Sequence, residues 1–353
     1  MSAAKLMDTI ERIQPVDPRW IEQARQRQLQ LTKPPGSLGR LEEIANRIAA
    51  IQATLAPSVE RARITIFAAD HGVCSERVNP YPQAVTAQMV ANYLRGGAAI
   101  NALARVAGAG LEIVDVGVAH QIPPSDGLIR RAIAPGTRNF CQEPAMTREQ
   151  ALEALSIGVE MAERASAAGC TLLGFGEMGI GNTTAASALA AALTGLDARA
   201  VIGRGTGADE GCMARKLSAV ERALATHRGR IAEPLDLLAC LGGFEIGAMC
   251  GLCLGAAANR CAVLVDGFIA TSAAALAVRF RQAVRDYLIP AHCSTEPGHR
   301  PLLAIIGQPP LLDLEMRLGE GTGAALAIPV VRAAVEAFTR MATFESAGVS
   351  EAS

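Results

Sequence analysis

Six short apolar runs punctuate the middle of this chain, and most end in a loop bearing glycine, aspartate or glutamate. Residues 64–67 precede Asp70-His71-Gly72, and residues 111–114 precede Asp115. Residues 171–173 precede Gly174-Phe175-Gly176-Glu177, and residues 200–202 precede Gly203. Residues 262–265 precede Asp266-Gly267, and residues 287–289 precede Pro290-Ala291-His292. Ala- and Leu-rich stretches long enough for a helix separate most of these runs. Strands alternating with helices imply βαβ units and a mostly parallel sheet. Ligands of such sheets bind outside the carboxyl ends of the strands, where these loops fall. The ends of the chain read differently. Ile10, Ile13, Ile21, Leu29 and Leu31, then Leu41, Ile44, Ile48 and Ile51, recur among charges at helical spacing over the first 60 residues. From Asp313 the pattern returns to helix, interrupted by glycines at 319–323.

The charges nearly cancel, 33 basic against 34 acidic. That balance argues against a nucleic-acid surface, which carries a basic excess, and against disorder, which needs high net charge. Half of the 353 residues are hydrophobic. The longest uncharged stretches, 246–259 and 261–278 with Asp266 inside, fall short of the ~20 apolar residues of a spanning helix. Residues 1–30 are polar and lack the apolar core of a signal peptide. The expectation is a cytoplasmic protein that binds neither membrane nor nucleic acid. Nine cysteines, an odd number spread along the chain, read as reduced core residues. His292, Glu296 and His299 in a Pro/Gly loop make a weak metal motif, and no metal is expected.

The strongest local feature is Gly174-x-Gly176-Glu177-x-Gly179-Ile180-Gly181-Asn182-Thr183, running into an Ala-rich helix. A helix start offers unpaired N–H groups and a favourable dipole to an anion, and glycine allows close approach, so phosphate is the expected ligand. A plain tight turn is the alternative. The same residues satisfy a dinucleotide fingerprint, but Glu177 would repel a pyrophosphate, and Asp197 precedes the next strand run instead of ending one. A second loop, Gly203-Arg204-Gly205, suggests one phosphate gripped from two sides, with Arg204 as a bidentate partner or as an ordinary exposed residue. Glu320 lies between glycines ahead of an apolar run, where burial would raise its pKa and make it a general base, or where it is simply an acid in a turn. Asp70, His71 and Asp266 stand at strand ends, in supporting or structural roles. Pro80, Tyr81 and Gln88 could line an aromatic pocket.

Six blocks together carry a resemblance. They are Lys33-Pro-Pro-Gly-Ser-Leu-Gly-Arg-Leu-Glu42, Ala69-Asp-His-Gly-Val73, Gly176-Glu-Met-Gly-Ile-Gly-Asn-Thr-Thr184, Gly242-Gly-Phe-Glu245, Leu264-Val-Asp-Gly-Phe268 and Arg317-Leu-Gly-Glu-Gly-Thr-Gly-Ala-Ala-Leu-Ala327. In order and spacing, over roughly residues 30–340, the chain resembles the nicotinate-nucleotide:dimethylbenzimidazole phosphoribosyltransferases. The resemblance implies transfer of phosphoribose from nicotinate mononucleotide to a benzimidazole-type base, without a cofactor, in the assembly of cobalamin. It implies a Rossmann-like α/β domain over 61–312, a small helical domain from 1–60 and 313–353, and a homodimer. It places the catalytic base on Glu320 and a second carboxylate on Glu177. It places phosphate contacts on 176–183 and 203–205, and the base pocket near Pro80, Tyr81, Gln88 and Leu318. The variable segment 79–82 leaves the identity of the base open, a purine or phenol included. A non-catalytic nucleotide-binding protein is the other reading.

The chemistry is coherent with these residues. The nicotinate leaves from a pyridinium, so no acid is needed at that end. The attacking ring nitrogen becomes positive, and a carboxylate that removes the proton from the other ring nitrogen cancels the charge.

Overall fold

A computed structural model describes residues 3–350 apart from Pro124 and Thr206. Its sheet has six strands: β1 (Ala62–Ala69), β2 (Gly110–Gly117), β3 (Leu128–Arg130), β4 (Leu172–Met178), β5 (Ala262–Val265) and β6 (Leu288–Pro290). All neighbours are parallel, in the order β3-β2-β1-β4-β5-β6. Progression along the sheet reverses between β1 and β4, which opens a crevice at their carboxyl ends. Every residue of β1 except Arg63 is buried, as expected of a central parallel strand covered on both faces.

Two sequence expectations change. The run 200–202 is not a strand but the end of a short helix, Ala198–Val201. Asp197 caps that helix by accepting from the Arg199 N–H, which favours helix over extension. Gly174, Gly176 and Glu177 are not loop residues, because β4 continues through Met178. The edge strand β3 was not foreseen. It has only three residues, none fully buried, and so lacks an apolar signature.

The cysteine-rich stretch has a packing explanation. Helix Phe244–Ala258 crosses helix Arg148–Ala167 so closely that a Cβ on Gly158 would lie 1.8 Å from the Ala248 carbonyl oxygen. One on Gly251 would lie 1.9 Å from the Leu155 oxygen. Only small residues permit this approach, and Cys250 and Cys253 of the same helix are fully buried. Burial pushes both thiols up, so they stay protonated and inert.

Helices from the two chain ends pack together. Arg27 stacks 5.2 Å above the Phe338 ring, and Leu31 pairs with Thr343. Lys33 makes a nearly dry ion pair with Glu42 at 2.7 Å, and Glu42 also accepts from the Leu38 N–H. Arg40 grips the carbonyls of Pro309 and Pro310. The Lys33–Glu42 motif therefore ties the N-terminal helices to the segment that leads into residues 315–320. Helix Thr322–Arg340 has the length and apolar character of a membrane span, yet its Ala324, Ala327, Ile328 and Val331 lie in the hydrophobic core. That core is continuous from Leu6 to Phe338.

Overpacking costs about 1–3 kcal/mol, occasionally more. Gly251→Ala is expected to lower the unfolding free energy by at least that much, measured as a drop in urea midpoint. An unchanged midpoint would show that the two helices have room to separate.

Candidate active site

A cavity of about 690 Å³ opens at the carboxyl ends of β4, β5 and β6. Its walls come from helix Val85–Leu94, the end of β4, the start of helix Asn182–Thr194, and residues 266–270, 292–296 and 315–320. Glu177, Asp266, Glu296, Glu315 and Glu320 all line it.

Glu320 is placed by an unusual piece of backbone. It adopts φ +63° between Gly319 at +89° and Gly321 at +86°. A non-glycine residue in this region costs about 1–2 kcal/mol. Asp266, at the end of β5, restrains the turn: its carboxylate accepts from the N–H groups of Gly321 (3.1 Å), Gly323 (2.6 Å) and Ala324 (3.1 Å). Below it lies β4, where glycine is compulsory. A Cβ on Gly176 would fall 2.1 Å from the Glu320 carbonyl carbon, and one on Gly174 would crowd Ala324. Gly176, expected to contact phosphate, instead lets the Glu320 turn rest on the strand. It does not line the cavity.

Glu320 is buried, and its carboxylate accepts a long bond from the Ile100 N–H at 3.4 Å. The Tyr93 phenol approaches it without reaching hydrogen-bond geometry. Burial raises the proton affinity of Glu320 above the usual carboxylate range, with Asp266 adding to the rise. Glu177 is also buried and accepts from the Asn182 side-chain amide. Burial, the negative charges of Glu245 and Asp266, and more weakly that of Glu320, push it up to about 8. The two acids are physically linked, since a Cβ on Gly319 would sit 2.3 Å from Glu177 Oε1.

The other end of the cavity suits an anion. Gly181, at φ +98°, caps helix Asn182–Thr194, whose positive end faces the cavity through Asn182 and Thr183. Gly179, Ile180 and Gly205 join them. Behind this group lies a residue that the sequence reading missed. Lys216 is 1% exposed, and its ammonium donates to Thr183 Oγ1 and to the Gly203 carbonyl, each at 2.9 Å. Burial lowers its pKa to about 8. A signal existed: Lys216 interrupts an otherwise apolar stripe of Cys212, Ala219, Val220 and Ala223 at helical spacing.

Several expected residues lie elsewhere. Arg204 is exposed and turned to the Ala208 carbonyl and Glu210, and Gly203 is buried behind the wall, so neither lines the cavity. Thr206 of the same loop lies outside the described residues. Tyr81 and Leu318 line the cavity, but Pro80 faces a neighbouring depression. Gln88 is exposed because the residues of its helix that line the cavity are Val85 and Met89, four apart. Asp70 and His71 lie beneath the floor. Asp70 accepts from Thr86 Oγ1 and the Ala119 N–H, and His71 pairs with Glu245 at 2.6 Å against Gly179. His299 is fully used in structure: Nδ1 accepts from the Ser294 N–H and Nε2 donates to Thr271.

This arrangement can hold an anion at one end and present at the other a buried carboxylate of raised proton affinity, Glu320, beside a second buried acid, Glu177. The chain matches the family model described as phosphoribosyltransferase over residues 13–349. It belongs to that family. A curated relative from Geobacter sp. strain M21 is 50% identical over 345 residues, spanning 98% of this chain and 99% of the relative. Another, from Azotobacter vinelandii, is 52% identical over 96% of both chains. Both are named nicotinate-nucleotide–dimethylbenzimidazole phosphoribosyltransferase. A crystal structure of the enzyme so named from Thermus thermophilus superposes with a TM-score of 0.89 at 49% identity, covering 95% of this chain and all of that one.

The raised pKa of Glu177 has a stability consequence. In the unfolded chain this group ionises near its ordinary value of about 4.3. Between that pH and about 8 the folded protein holds a proton that the unfolded chain has lost, so its contribution to stability falls as pH rises. Glu177→Gln is therefore expected to stabilise the protein at pH 9, on the order of a few kcal/mol. The gain should shrink towards pH 5. Urea melts across that range provide the measurement, and a gain that grows on acidification would contradict the assignment.

Proposed function

We propose that this chain transfers the 5-phosphoribosyl group of nicotinate mononucleotide to 5,6-dimethylbenzimidazole, giving α-ribazole 5′-phosphate and nicotinate. The single observation that carries the residue assignment is the pair of buried, linked carboxylates, Glu320 and Glu177, in the same cavity as an anion-binding helix start. The nucleotide phosphate occupies the group formed by Ile180, Gly181, Asn182, Thr183 and Gly205, backed by Lys216. The flat aromatic base lies between Tyr81, Val85, Met89 and Leu318.

In the reaction a benzimidazole ring nitrogen attacks C1′ from the face opposite the pyridinium. The C1′–N bond to nicotinate breaks, its electron pair neutralises the pyridinium, and the configuration inverts from β to α. Glu320 takes the N–H proton from the second ring nitrogen, so the product leaves uncharged at the ring. Glu177, raised to about 8 and so largely protonated near neutral pH, orients the substrate through hydrogen bonding. General-base assistance of this kind contributes ~10²–10⁴-fold, and positioning of the two substrates supplies the remainder. The same reading makes the helical chain ends a small domain, and the enzyme a cytoplasmic homodimer without a cofactor.

The test is turnover of nicotinate mononucleotide with a panel of benzimidazoles, purines and phenols, products identified by mass spectrometry. Dimethylbenzimidazole is expected to be the preferred acceptor, and inactivity with every base would end the transferase reading. Glu320→Gln should lower kcat by roughly 10²–10⁴-fold. Near-normal nicotinate release in that variant would remove Glu320 from the role of base.

A further inference from the structure

Glu296 is a carboxylate placed where anion-binding groups converge. Its Oε1 accepts from the Gly205 N–H at 2.9 Å. Its Oε2 is buried against Gly203, where a Cβ would fall 1.9 Å away, and takes no hydrogen bond from the described residues. Gly203 is thus a glycine because Glu296 occupies the space a side chain would need. Lys216 holds the same loop from the other side, through the Gly203 carbonyl, and reaches Thr183 on the opposing glycine loop. The charge of Glu296 supports the lysine's proton against the effect of burial. The glutamate backbone is itself fixed, its N–H donating to Ser294 Oγ and its carbonyl accepting from the His299 N–H.

We propose that Glu296 is a positioning residue that acts as an internal anion: it holds the 203–205 loop in its phosphate-binding shape and weakens the grip of that loop on phosphate. The proposal rests on the transferase reading. The 5′-phosphate is unchanged between the nucleotide substrate and the ribazole product. Tight phosphate binding would therefore hold substrate and product alike, lowering KM without assisting the chemical step and slowing product release. A fixed like charge beside the phosphate offsets this, while the Gly205 tether preserves the loop.

Glu296→Gln and Glu296→Ala separate the two effects. The amide oxygen of Gln keeps the Gly205 N–H, and the buried Oε2 has no bond to the described residues to lose. Measured at pH 6, well below the Lys216 pKa of about 8 so that the lysine keeps its charge, Glu296→Gln should lower both the KM for nicotinate mononucleotide and the inhibition constant of inorganic phosphate roughly tenfold, the scale expected for removing one like-charge neighbour. Glu296→Ala, which loses the tether, should raise both. An unchanged or raised phosphate constant in Glu296→Gln overturns the proposal. Calorimetric titration of inorganic phosphate into wild type and Glu296→Gln gives the same comparison without turnover. It holds the proposal to account if Glu296→Ala does not fold. A wild-type enzyme that binds phosphate but consumes no nicotinate mononucleotide with any base would instead overturn the transferase reading.

Discussion

The site depends on one buried carboxylate. Asp266 ends β5 and spends its oxygens on three backbone N–H groups of the turn and helix that follow Glu320. Hydrogen bonds to a charged group contribute about 1.5–3 kcal/mol each, enough to hold a left-handed glutamate that local sterics disfavour. The restraint also explains the surrounding glycines. Gly323 gives room for Asp266 and His292, and Gly176 for the Glu320 backbone. A side chain at either position would push the turn off the strand, and the catalytic assignment of Glu320 would lose its geometry even with the carboxylate present.

The charge distribution follows from the same crowding. Five carboxylates line a cavity whose proposed ligand carries a phosphate. Glu177, Asp266 and Glu320 gather at one end, while Glu296 sits beside the loop at the other. Asp266 raises the proton affinity of both Glu177 and Glu320, and Glu320 adds weakly to that of Glu177, so this end favours protonated or neutral groups over an anion. The phosphate end relies on the helix Asn182–Thr194 and on Lys216, cations and dipoles that need no basic surface. A chain with nearly balanced charge can therefore bind an anionic nucleotide.

Much of this was legible in the sequence because the informative residues are rigidly linked to chain direction. A strand followed by an acid or glycine marks the carboxyl edge of a parallel sheet, and Asp70, Glu177, Asp266 and His292 all fall there. Residue type and spacing also marked Glu320. What was not legible depended on tertiary direction. Gln88 and Met89 are adjacent in sequence, and only the packing of helix Val85–Leu94 decides which one faces the cavity. Lys216 comes from a segment with no motif and Glu296 stood out only within a weak metal pattern, whereas both are buried against the 203–205 loop. Arg204 carried the obvious charge in that loop, yet an exposed arginine next to Glu210 finds its partner locally.

The fingerprint Gly174-x-Gly176-x-x-Gly179 shows how one pattern serves two physical ends. In a dinucleotide fold the glycines form a turn and let the backbone approach a pyrophosphate. Here the first two lie inside β4, and the neighbour they admit is the chain's own Glu320 turn and the start of helix Thr322–Arg340. Only the third, Gly179, reaches the loop, where a Cβ would strike the Ala69 carbonyl. The space a dinucleotide would use above the strand is filled by polypeptide, and the intervening Glu177 points into the cavity as an acid. The sheet order is that of a dinucleotide-binding fold, but a segment from the far end of the chain laid across β4 sets the Glu320 turn where the fingerprint glycines would otherwise leave open space.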